Sequence, residues 1–193
     1  MKNTLIFATH NRKKTEEIRS ILKTHDILSL SDLNFTEEIE ETGSSLEENA
    51  EIKARTIYEK FKLNCFADDS GLMVDCLKGE PGVFSGRYAG EPRSDEKNIR
   101  LLLKNMEYSE HRAAAFVTCI CLIHEGQKYF FEGKIMGEIL KHPHGNNGFG
   151  YDPVFKPRGQ DKSFAAMSAD EKNNMSHRGI AVNKLVDFLN KIG

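Results

Sequence analysis

The sequence predicts an α/β fold with an elongated mixed β-sheet flanked by helices. In the first third of the chain, apolar runs that fit buried strands alternate with segments of helical periodicity. Two segments rich in β-branched and aromatic residues, 113–123 and 128–140, are separated by four residues, which favours an antiparallel hairpin. Helical patterns return near the carboxyl end. A hairpin inside an alternating chain indicates a mixed sheet rather than a purely parallel one.

The chain opens with a predicted strand, a polar turn and a helix. TLIFAT (residues 4–9) is a short apolar run of the kind that forms a buried strand. A polar turn and several basic residues follow it. The next segment has helical spacing, with inward positions at Ile18, Ile21 and Leu22.

Four serines predict the starts of further helices. Ser45 and Ser168 each precede a glutamate by three residues, Glu48 and Glu171, which is the capping-box pattern. Ser94 and Ser176 stand before two more helical patterns. The positions expected to face the core after Ser45, Ser94 and Ser176 are Leu46, Ala50, Ala54, Ile57 and Phe61; Ile99, Leu102, Leu103 and Met106; and Val182, Leu185, Val186 and Leu189.

Residues 66–75 (FADDSGLMVD) place two adjacent carboxylates inside an apolar strand pattern. Unpaired buried carboxylates are costly, so this is either a surface loop or a site for a cation. Neighbouring side chains on a strand point to opposite faces, so Asp68 and Asp69 line one site only if the strand bends. We expect such a bend at Ser70 and Gly71. Two oxygen ligands there would suit Mg²⁺.

The composition is that of a globular protein, and its net charge is too small to indicate a class of binding partner. The 193 residues are 39% hydrophobic and 29% charged, and the net charge of −2 gives no reason to expect binding to nucleic acid or a membrane. No stretch has the pattern of a signal peptide or a membrane span. The four cysteines show no zinc-type spacing, so we expect reduced structural thiols and a cytoplasmic protein.

Three further stretches have the chemistry of a nucleotide site. THNRKK (residues 9–14) would present hydroxyl, amide and ammonium groups to an anion at a helix start. GFGYDPVF (residues 148–155) would expose the aromatic pair Phe149 and Tyr151 to stack a planar base, with Asp152 as an acceptor. KNNMSHRG (residues 172–179) places His177 and Arg178 in the first turn of a helix, an end that prefers negative charge. A solvated turn, core aromatics and an exposed helix start are the respective structural alternatives.

In these stretches the chain closely resembles the inosine triphosphate pyrophosphatase family, which hydrolyses non-canonical purine nucleoside triphosphates. The resemblance covers essentially the whole chain through six motifs that occur in order. They are T-x-N-x-x-K at 9–14, ETGSSLEENAEIKA at 41–54, ADDSGL at 67–72, PGVFSGRYAG at 81–90, GFGYDPVF at 148–155, and K-x-x-x-SHR, which ends at 178. Departures from the family pattern are Lys13 in place of glycine, Gly86 in place of alanine and Ala166 in place of an acidic residue.

The resemblance implies a role for each matching residue. Asp69 would accept the proton of the attacking water and, with Glu41, hold Mg²⁺, with Asp68 close by. Lys53 would project from its helix towards the phosphates, and Ser70 would contact the substrate. The triphosphate would be bound by Thr9, His10, Asn11, Arg12, Lys13 and Lys14. The base and sugar would be bound by Phe149, Gly150, Tyr151, Asp152, Lys172, His177 and Arg178.

The family resemblance also implies a homodimer and a single domain over residues 1–193, with two lobes around a central nucleotide cleft. The implied substrates are ITP, dITP and XTP. Hypoxanthine and xanthine carry a 6-keto acceptor where adenine carries an amino donor, so donors from His177 and Arg178 would distinguish them.

Three other functions remain open at this point. One is a Maf-like pyrophosphatase of pyrimidine or modified nucleotides, and the second is a non-catalytic nucleotide sensor. The third is a structural or RNA-binding protein, which the net charge of −2 disfavours.

Overall fold

A computed structural model describes residues 3–192. The predicted α/β class with a mixed sheet and helices is confirmed. The strands are β1 (Asn3–Phe7), β2 (His25–Ser29), β3 (Cys65–Val74), β4 (Ala113–His124), β5 (Gln127–Ile139) and β6 (Phe155–Pro157). The helices are α1 (Arg12–Ile21), α2 (Leu46–Phe61), α3 (Asp95–Asn105), α4 (Ala169–Met175) and α5 (His177–Ile192). Short 3₁₀ turns lie at Asp75–Leu77, Gly82–Arg87 and Phe164–Ala166.

The sheet has the strand order β2-β1-β3-β4-β5-β6. Strand β1 pairs in parallel with β2 and β3, whereas β5 pairs with β6 in the antiparallel sense. A two-residue turn joins β4 to β5, and both of its residues, Glu125 and Gly126, have positive φ. Positive φ at both positions is the requirement of a tight type I′ hairpin turn. The predicted hairpin is therefore present.

The chain divides into two compact units. The first comprises residues 1–69, 118–133 and 179–193, and the second comprises residues 70–117 and 134–178. Both units therefore draw residues from β3, β4 and β5. The single two-lobed domain with a nucleotide cleft stays a prediction.

In the first unit, alternating side chains of the strands build two separate cores. One core packs Leu5, Phe7 and Phe66 with residues of α1 and α5, including Ile18, Val182 and Leu185. The other packs Ile6, Cys65 and Ala67 with Ala50, Ala54 and Ile57 of α2. Because successive strand residues face opposite sides, α1 and α5 cover one face of these strands and α2 covers the other. The predicted inward positions of α2 and α5 are confirmed.

In the second unit, one core combines α3 with those parts of β3, β4 and β5 that lie outside the first unit. Leu72 and Val74 of β3 pack with Leu102 and Met106 of α3. Phe116, Phe155 and Phe164 belong to the same core, and the rings of Phe116 and Phe155 have centroids 4.6 Å apart. The predicted start of α3 at Ser94 is confirmed, because its side chain accepts a hydrogen bond from the Lys97 amide.

The first capping box differs from its prediction, whereas the second one is confirmed. Ser45 caps α2 by accepting from the Glu48 amide, but the Glu48 carboxylate accepts from the amide and hydroxyl of Ser44 instead of the Ser45 amide. At α4, Ser168 and Glu171 make both reciprocal hydrogen bonds. A neighbouring residue with both an amide and a hydroxyl offered the Glu48 carboxylate two donors rather than one.

All four cysteines are free, as predicted, and Cys65, Cys119 and Cys121 are buried. Burial raises the pKa of each of these three thiols to about 12, so they stay protonated and inert. Along residues 3–192, no helix combines the length and apolar character needed to cross a membrane.

Candidate functional site

The two carboxylates of FADDSG lie inside a continuous strand. Strand β3 runs from Cys65 to Val74 without a turn, so the predicted bend at Ser70 and Gly71 is wrong. Asp68 is 2% exposed and Asp69 is 7% exposed. Buried carboxylates of this kind need cationic partners. The second interpretation of these residues, a site for positive charge, therefore holds.

The strand alternation sends the two carboxylates to different faces of β3. Asp68 lies on the same face of the strand as Phe66, two residues earlier, and this face is covered by α1. Its Oδ1 accepts a hydrogen bond from Lys14 Nζ at 2.9 Å. Asp69 follows the direction of Ala67, on the face covered by α2. There its Oδ2 accepts from Asn49 Nδ2 at 3.1 Å and its Oδ1 lies 3.4 Å from Lys53 Nζ. One strand thus supplies an acid to each of two helices.

Lys53 connects Asp69 to a third carboxylate. Its Nζ donates to Glu41 Oε1 at 2.6 Å, and the lysine is 9% exposed. Burial alone would lower the pKa of Lys53, but the carboxylates of Asp69, Glu41 and Asp68 outweigh it and raise that pKa. We call these five residues, Glu41, Asp68, Asp69, Lys14 and Lys53, the carboxylate–lysine cluster. Three acids and two bases leave it with one excess negative charge.

Asp69 has the electrostatic environment of a proton acceptor. Burial raises its pKa, against the opposing effects of the Lys53 and Lys14 ammonium groups. A carboxylate with a raised pKa binds a proton more readily than an exposed one, which is the property that general base catalysis requires.

Asn49 is a member of this environment to which the sequence analysis assigned no role. Its Nδ2 donates to Asp69, and its Oδ1 accepts from the Gly43 amide at 2.8 Å. Gly43 allows this approach, because a Cβ there would lie 2.7 Å from Asn49 Oδ1. The signal in the sequence was the pair Asn49 and Lys53, two polar residues one helical turn apart beside the apolar stripe of α2.

The predicted phosphate-binding stretch, residues 9–14, forms the start of α1. Asn11 is the N-cap and its Oδ1 accepts from the Lys14 amide, while Thr9 Oγ1 accepts from the Asn11 amide. Arg12 and Lys13 lie in the first turn and are exposed, and Arg12 pairs with Glu16. The exposed His10 ring makes a hydrogen bond with the Glu37 carbonyl. The basic residues therefore lie within the first turn rather than before it, where they oppose the helix dipole in the absence of an anion.

In the second unit, the other predicted residues gather around Lys172. Its Nζ donates to Asp152 Oδ2 at 2.7 Å and lies 4.8 Å from the centre of the Phe149 ring. The guanidinium of Arg178 lies 5.5 Å from the same ring, and its Nη2 donates to Ser70 Oγ at 3.1 Å. Ser70 and Gly150 are half-buried, and the Gly150 amide donates to Asp95.

His177 is linked to the same group through Phe164, whose ring centre lies 6.3 Å from the His177 ring and 5.8 Å from Lys172 Nζ. The His177 ring is 4% exposed and stacks on Phe116, with centroids 4.5 Å apart and an interplanar angle of 11°. The start of α5 at His177 agrees with the prediction that His177 and Arg178 occupy its first turn. We call Phe149, Asp152, Lys172, His177 and Arg178 the aromatic–basic cluster.

The glycine-rich loop before Asp152 is confirmed, but its aromatic pair is not exposed as predicted. Phe149 is half-buried, while Tyr151 is 4% exposed and donates its hydroxyl to the Ser85 carbonyl. Tyr151 packs in the core with Val154 and Phe155, so its ring is not available to stack a base. Gly148, with φ of +75°, permits the loop, because a Cβ there would lie 2.0 Å from Asp152 Oδ2.

Comparisons with known proteins agree with the motifs. A model of the Ham1 family matches residues 5–188. The chain is 48% identical to a dITP/XTP pyrophosphatase of Christiangramia forsetii, over 97% of this chain and 99% of that protein. It is also 48% identical to a dITP/XTP pyrophosphatase of Porphyromonas gingivalis, over 96% of each.

Solved structures give the same result. The Ham1 protein of Staphylococcus aureus superposes with a TM-score of 0.90 at 38% identity, over 99% of this chain and all of that one. A nucleoside-triphosphatase (dITP/XTP pyrophosphatase) of Mycobacterium abscessus superposes with a TM-score of 0.77 at 42% identity, over 94% and 98% of the two chains. The family predicted from six short motifs is confirmed, and the chain belongs to the Ham1 family.

Proposed function

We propose that this protein is a nucleoside-triphosphate pyrophosphatase that converts ITP, dITP and XTP to the monophosphate and pyrophosphate. The carboxylate–lysine cluster carries this proposal. Asp69, a buried carboxylate with a raised pKa, lies beside Lys53, and the adjacent Asp68 pairs with Lys14. The charges of these two lysines could neutralise phosphate oxygens. The names of the relatives, dITP/XTP pyrophosphatases, support the same reaction and the same class of base.

In this proposal, the start of α1 and Lys53 receive the triphosphate. The backbone amides of a helix start and the ammonium groups of lysines both favour anions. Lys14 and Lys53 are held in place by Asp68, Asp69 and Glu41, so they are ordered before the substrate arrives. The residues assigned to this task are Thr9, His10, Asn11, Arg12, Lys13, Lys14 and Lys53.

The chemistry of the cluster fits a divalent metal ion that arrives with the substrate. Among residues 3–192, no three His, Cys, Asp or Glu side chains are grouped as a complete metal site. Mg²⁺, however, commonly takes one or two carboxylates and completes its coordination with waters and substrate phosphates. Glu41 and Asp69 both contact one cation, the Lys53 ammonium. We assign Mg²⁺ to this pair, where it would neutralise charge on the triphosphate.

Asp69 is the proposed proton acceptor for the water that attacks the α-phosphorus. Its raised pKa favours proton uptake, and its hydrogen bond from Asn49 fixes the orientation of the carboxylate. Proton removal by a positioned group accelerates such reactions by roughly 10²–10⁴-fold. Asp68, which accepts a hydrogen bond from Lys14 on the other face of β3, would instead hold Lys14 in position to bind the phosphates.

The aromatic–basic cluster is proposed to bind the base and sugar. Phe149 is the stacking ring of this proposal, and the cations of Lys172 and Arg178 lie 4.8 Å and 5.5 Å from its centre. Donors from His177 and Arg178 would pair with the 6-keto group of hypoxanthine or xanthine and reject the 6-amino group of adenine. Gly150, Tyr151, Asp152 and Ser70 complete the assigned set, with Tyr151 acting through the shape of the loop.

A substrate panel tests the reaction. Purified protein is given ITP, XTP, dITP, dUTP, dTTP, ATP and GTP with Mg²⁺, and pyrophosphate release is measured for each. We expect release from ITP, dITP and XTP at rates well above those for the other nucleotides. Preference for dUTP or dTTP would indicate a Maf-like enzyme, and binding of ITP without release would indicate a sensor. Release of orthophosphate in place of pyrophosphate would contradict cleavage at the α-phosphorus.

Three further assignments belong to this proposal and have separate tests. Exhaustive chelation should abolish pyrophosphate release and added Mg²⁺ should restore it, and activity that survives chelation contradicts the metal assignment. The homodimer predicts twice the mass of one chain in light scattering. The four free thiols support a reducing compartment such as the cytoplasm, which localisation of the tagged protein would check.

A further inference from the structure

We propose that Lys53 is a displaceable counter-ion that occupies the place of the metal ion until the nucleotide arrives. The inference rests on the proposed function, since it takes Glu41 and Asp69 as the metal-binding carboxylates. It adds that the ammonium group and the metal ion compete for the same oxygens. A divalent ion then binds weakly to the protein alone and binds well only when a triphosphate draws Lys53 away.

The first support is geometric. Lys53 Nζ lies 2.6 Å from Glu41 Oε1 and 3.4 Å from Asp69 Oδ1. These two oxygens can therefore be no more than 6.0 Å apart, the sum of the two distances. The ammonium group is thus positioned where a cation would contact both carboxylates, directly or through a bound water.

The second support is that both oxygens of Asp69 are already engaged. Oδ2 accepts from Asn49, whose own Oδ1 is held by the Gly43 amide. This leaves Oδ1, the oxygen facing Lys53, as the one that a metal ion would take from the ammonium. The amide of Asn49 fixes the carboxylate, so Asp69 cannot easily turn its other oxygen towards an incoming ion.

The third support is burial. Lys53 is 9% exposed and Asp69 is 7% exposed, so water screens charges at this site far less than at the surface. An ammonium group and a divalent ion placed side by side here would repel each other strongly. They are therefore alternative occupants of one position, and binding of the metal requires the lysine to move.

The triphosphate supplies the reason for the lysine to move. The side chain of lysine is a flexible four-carbon stem that carries a point charge, so Nζ can change partners while the helix stays in place. Phosphate oxygens offer the ammonium a new anionic partner, and its departure gives the metal ion access to Glu41 and Asp69. By linkage, the nucleotide and the metal ion then strengthen the binding of each other.

The test measures metal binding without nucleotide. Mn²⁺ prefers the same oxygen ligands as Mg²⁺, and the loss of its free-ion paramagnetic resonance signal reports binding. The Lys53→Met variant removes the competing charge and keeps a similar apolar stem. We expect this variant to bind Mn²⁺ at least about tenfold more tightly than the unmodified protein, since a competing cation has been removed from both carboxylates.

Lys14→Met is the matched control. It removes the same charge from the same cluster, and Lys14 is similarly shielded, but Lys14 pairs with Asp68 on the other face of β3. A gain from charge removal alone would be similar in both variants, whereas displacement predicts a clearly larger gain for Lys53→Met than for Lys14→Met. Adding Glu41→Gln to Lys53→Met should abolish the gain.

A second substitution and a second measurement guard against misfolding. Lys53→Gln keeps a donor for Glu41 without the charge, and it should bind Mn²⁺ more tightly as well. Thermal unfolding should show a larger Mn²⁺-induced rise in Tm for both Lys53 variants than for the unmodified protein. Equal Mn²⁺ affinity in Lys53→Met, Lys53→Gln and the unmodified protein overturns the proposal, and so does an equal gain in Lys14→Met.

The result is independent of the proposed reaction. The metal titration contains no nucleotide, so it can succeed or fail whichever substrates the enzyme hydrolyses. If ITP yields pyrophosphate but Lys53→Met shows no gain in Mn²⁺ affinity, only the counter-ion role is rejected. If no nucleotide yields pyrophosphate, the proposed function fails while the metal titration still decides the role of Lys53.

Discussion

The two clusters stabilise charged side chains that are shielded from water, and they do so in different ways. In the carboxylate–lysine cluster, charges are matched by opposite charges, since Lys14 pairs with Asp68 and Lys53 pairs with both Glu41 and Asp69. In the aromatic–basic cluster, Lys172 pairs with Asp152 but also lies over the Phe149 ring, and Arg178 lies over the same ring. Ring faces attract cations without carrying a net charge.

This difference matches the two proposed tasks. Ion pairs can exchange partners, so in the proposed function the first cluster would release its lysines to phosphate oxygens and its carboxylates to a metal ion. In the second cluster, Lys172 also lies 5.8 Å from the centre of the fully buried Phe164 ring, whose close packing restricts the movement of the lysine. A region that exchanges ions suits phosphate chemistry, and a region of fixed shape suits the recognition of a base. Substitutions in the two clusters should therefore have different kinetic signatures.

The largest expected effect is that of Asp69→Asn. The change removes the proposed proton acceptor while keeping the size of the side chain, so kcat for pyrophosphate release from ITP should fall by roughly 10²–10⁴-fold. Circular dichroism should show an intact fold. Asp68→Asn is the matched control, since the same change one residue earlier affects Lys14 and should cost far less. Equal losses in the two variants, or unchanged turnover in Asp69→Asn, would contradict the assignment.

The contrast between Asp68 and Asp69 also shows how far sequence reasoning reached. The alternation of side chains along a strand correctly indicated that two adjacent acids point to opposite faces. The error was to expect a bend at Ser70 and Gly71 that would bring them together, since β3 continues to Val74. The bend proved unnecessary because helices cover both faces of this strand, and each helix supplies its own lysine.

The aromatic–basic cluster was harder to predict for a physical reason. The pattern GFGYDP suggested two exposed rings, but exposure depends on which parts of the chain pack over the loop. Phe116 and Phe164, distant in sequence from Tyr151, share its core, and Ser85 accepts its hydroxyl. Local pattern contains no information about such partners. The helix starts at Ser94, Ser168 and His177 depend on neighbouring residues only, and they were predicted correctly.

Phe149→Ala should affect substrate binding more than chemistry. Stacking of a base on an aromatic ring is worth about 1–3 kcal/mol, so KM for ITP should rise by roughly 5- to 150-fold with a smaller change in kcat. Phe84→Ala is the control, because Phe84 is also an aromatic near a cation, Arg87, and is 57% exposed. Its removal should leave KM within about twofold. A fall in kcat at constant KM for Phe149→Ala would place this ring in the chemical step instead.

Substitution of two buried asparagines, one in each unit, allows an effect on stability to be distinguished from an effect on catalysis. Asn49 binds Asp69 and Gly43 in the first unit, and Asn98 binds Ala89, Ser85 and Gly86 in the second. Replacing either by leucine leaves buried polar groups without their partner, so each change should lower the free energy of unfolding by about 1–3 kcal/mol. Urea denaturation measures this loss.

The two asparagine variants should differ in turnover. Asn49→Leu frees the carboxylate of the proposed proton acceptor, so kcat should fall well beyond the effect of Asn98→Leu at equal stability. Comparable values of kcat in the two variants would mean that Asn49 supports only the fold, and that the orientation of Asp69 does not depend on it.

The smallest expected effect is that of Gly86→Ala, which restores the residue that the family pattern favours at this position. Gly86 is exposed in a 3₁₀ turn, its φ is not positive, and an added Cβ would approach only Arg93, at 3.9 Å. Such a change should stabilise the protein by about 0.4–1 kcal/mol by restricting the unfolded chain.

Gly43→Ala is the opposite case, since its Cβ would lie 2.7 Å from Asn49 Oδ1 and Glu48 Cβ, and it should destabilise by about 1–3 kcal/mol. Urea denaturation of both variants decides the matter. If they shift stability in the same direction, the close approach of Gly43 to α2 does not constrain the carboxylate–lysine cluster, and the ordering attributed to Asn49 loses its backbone support.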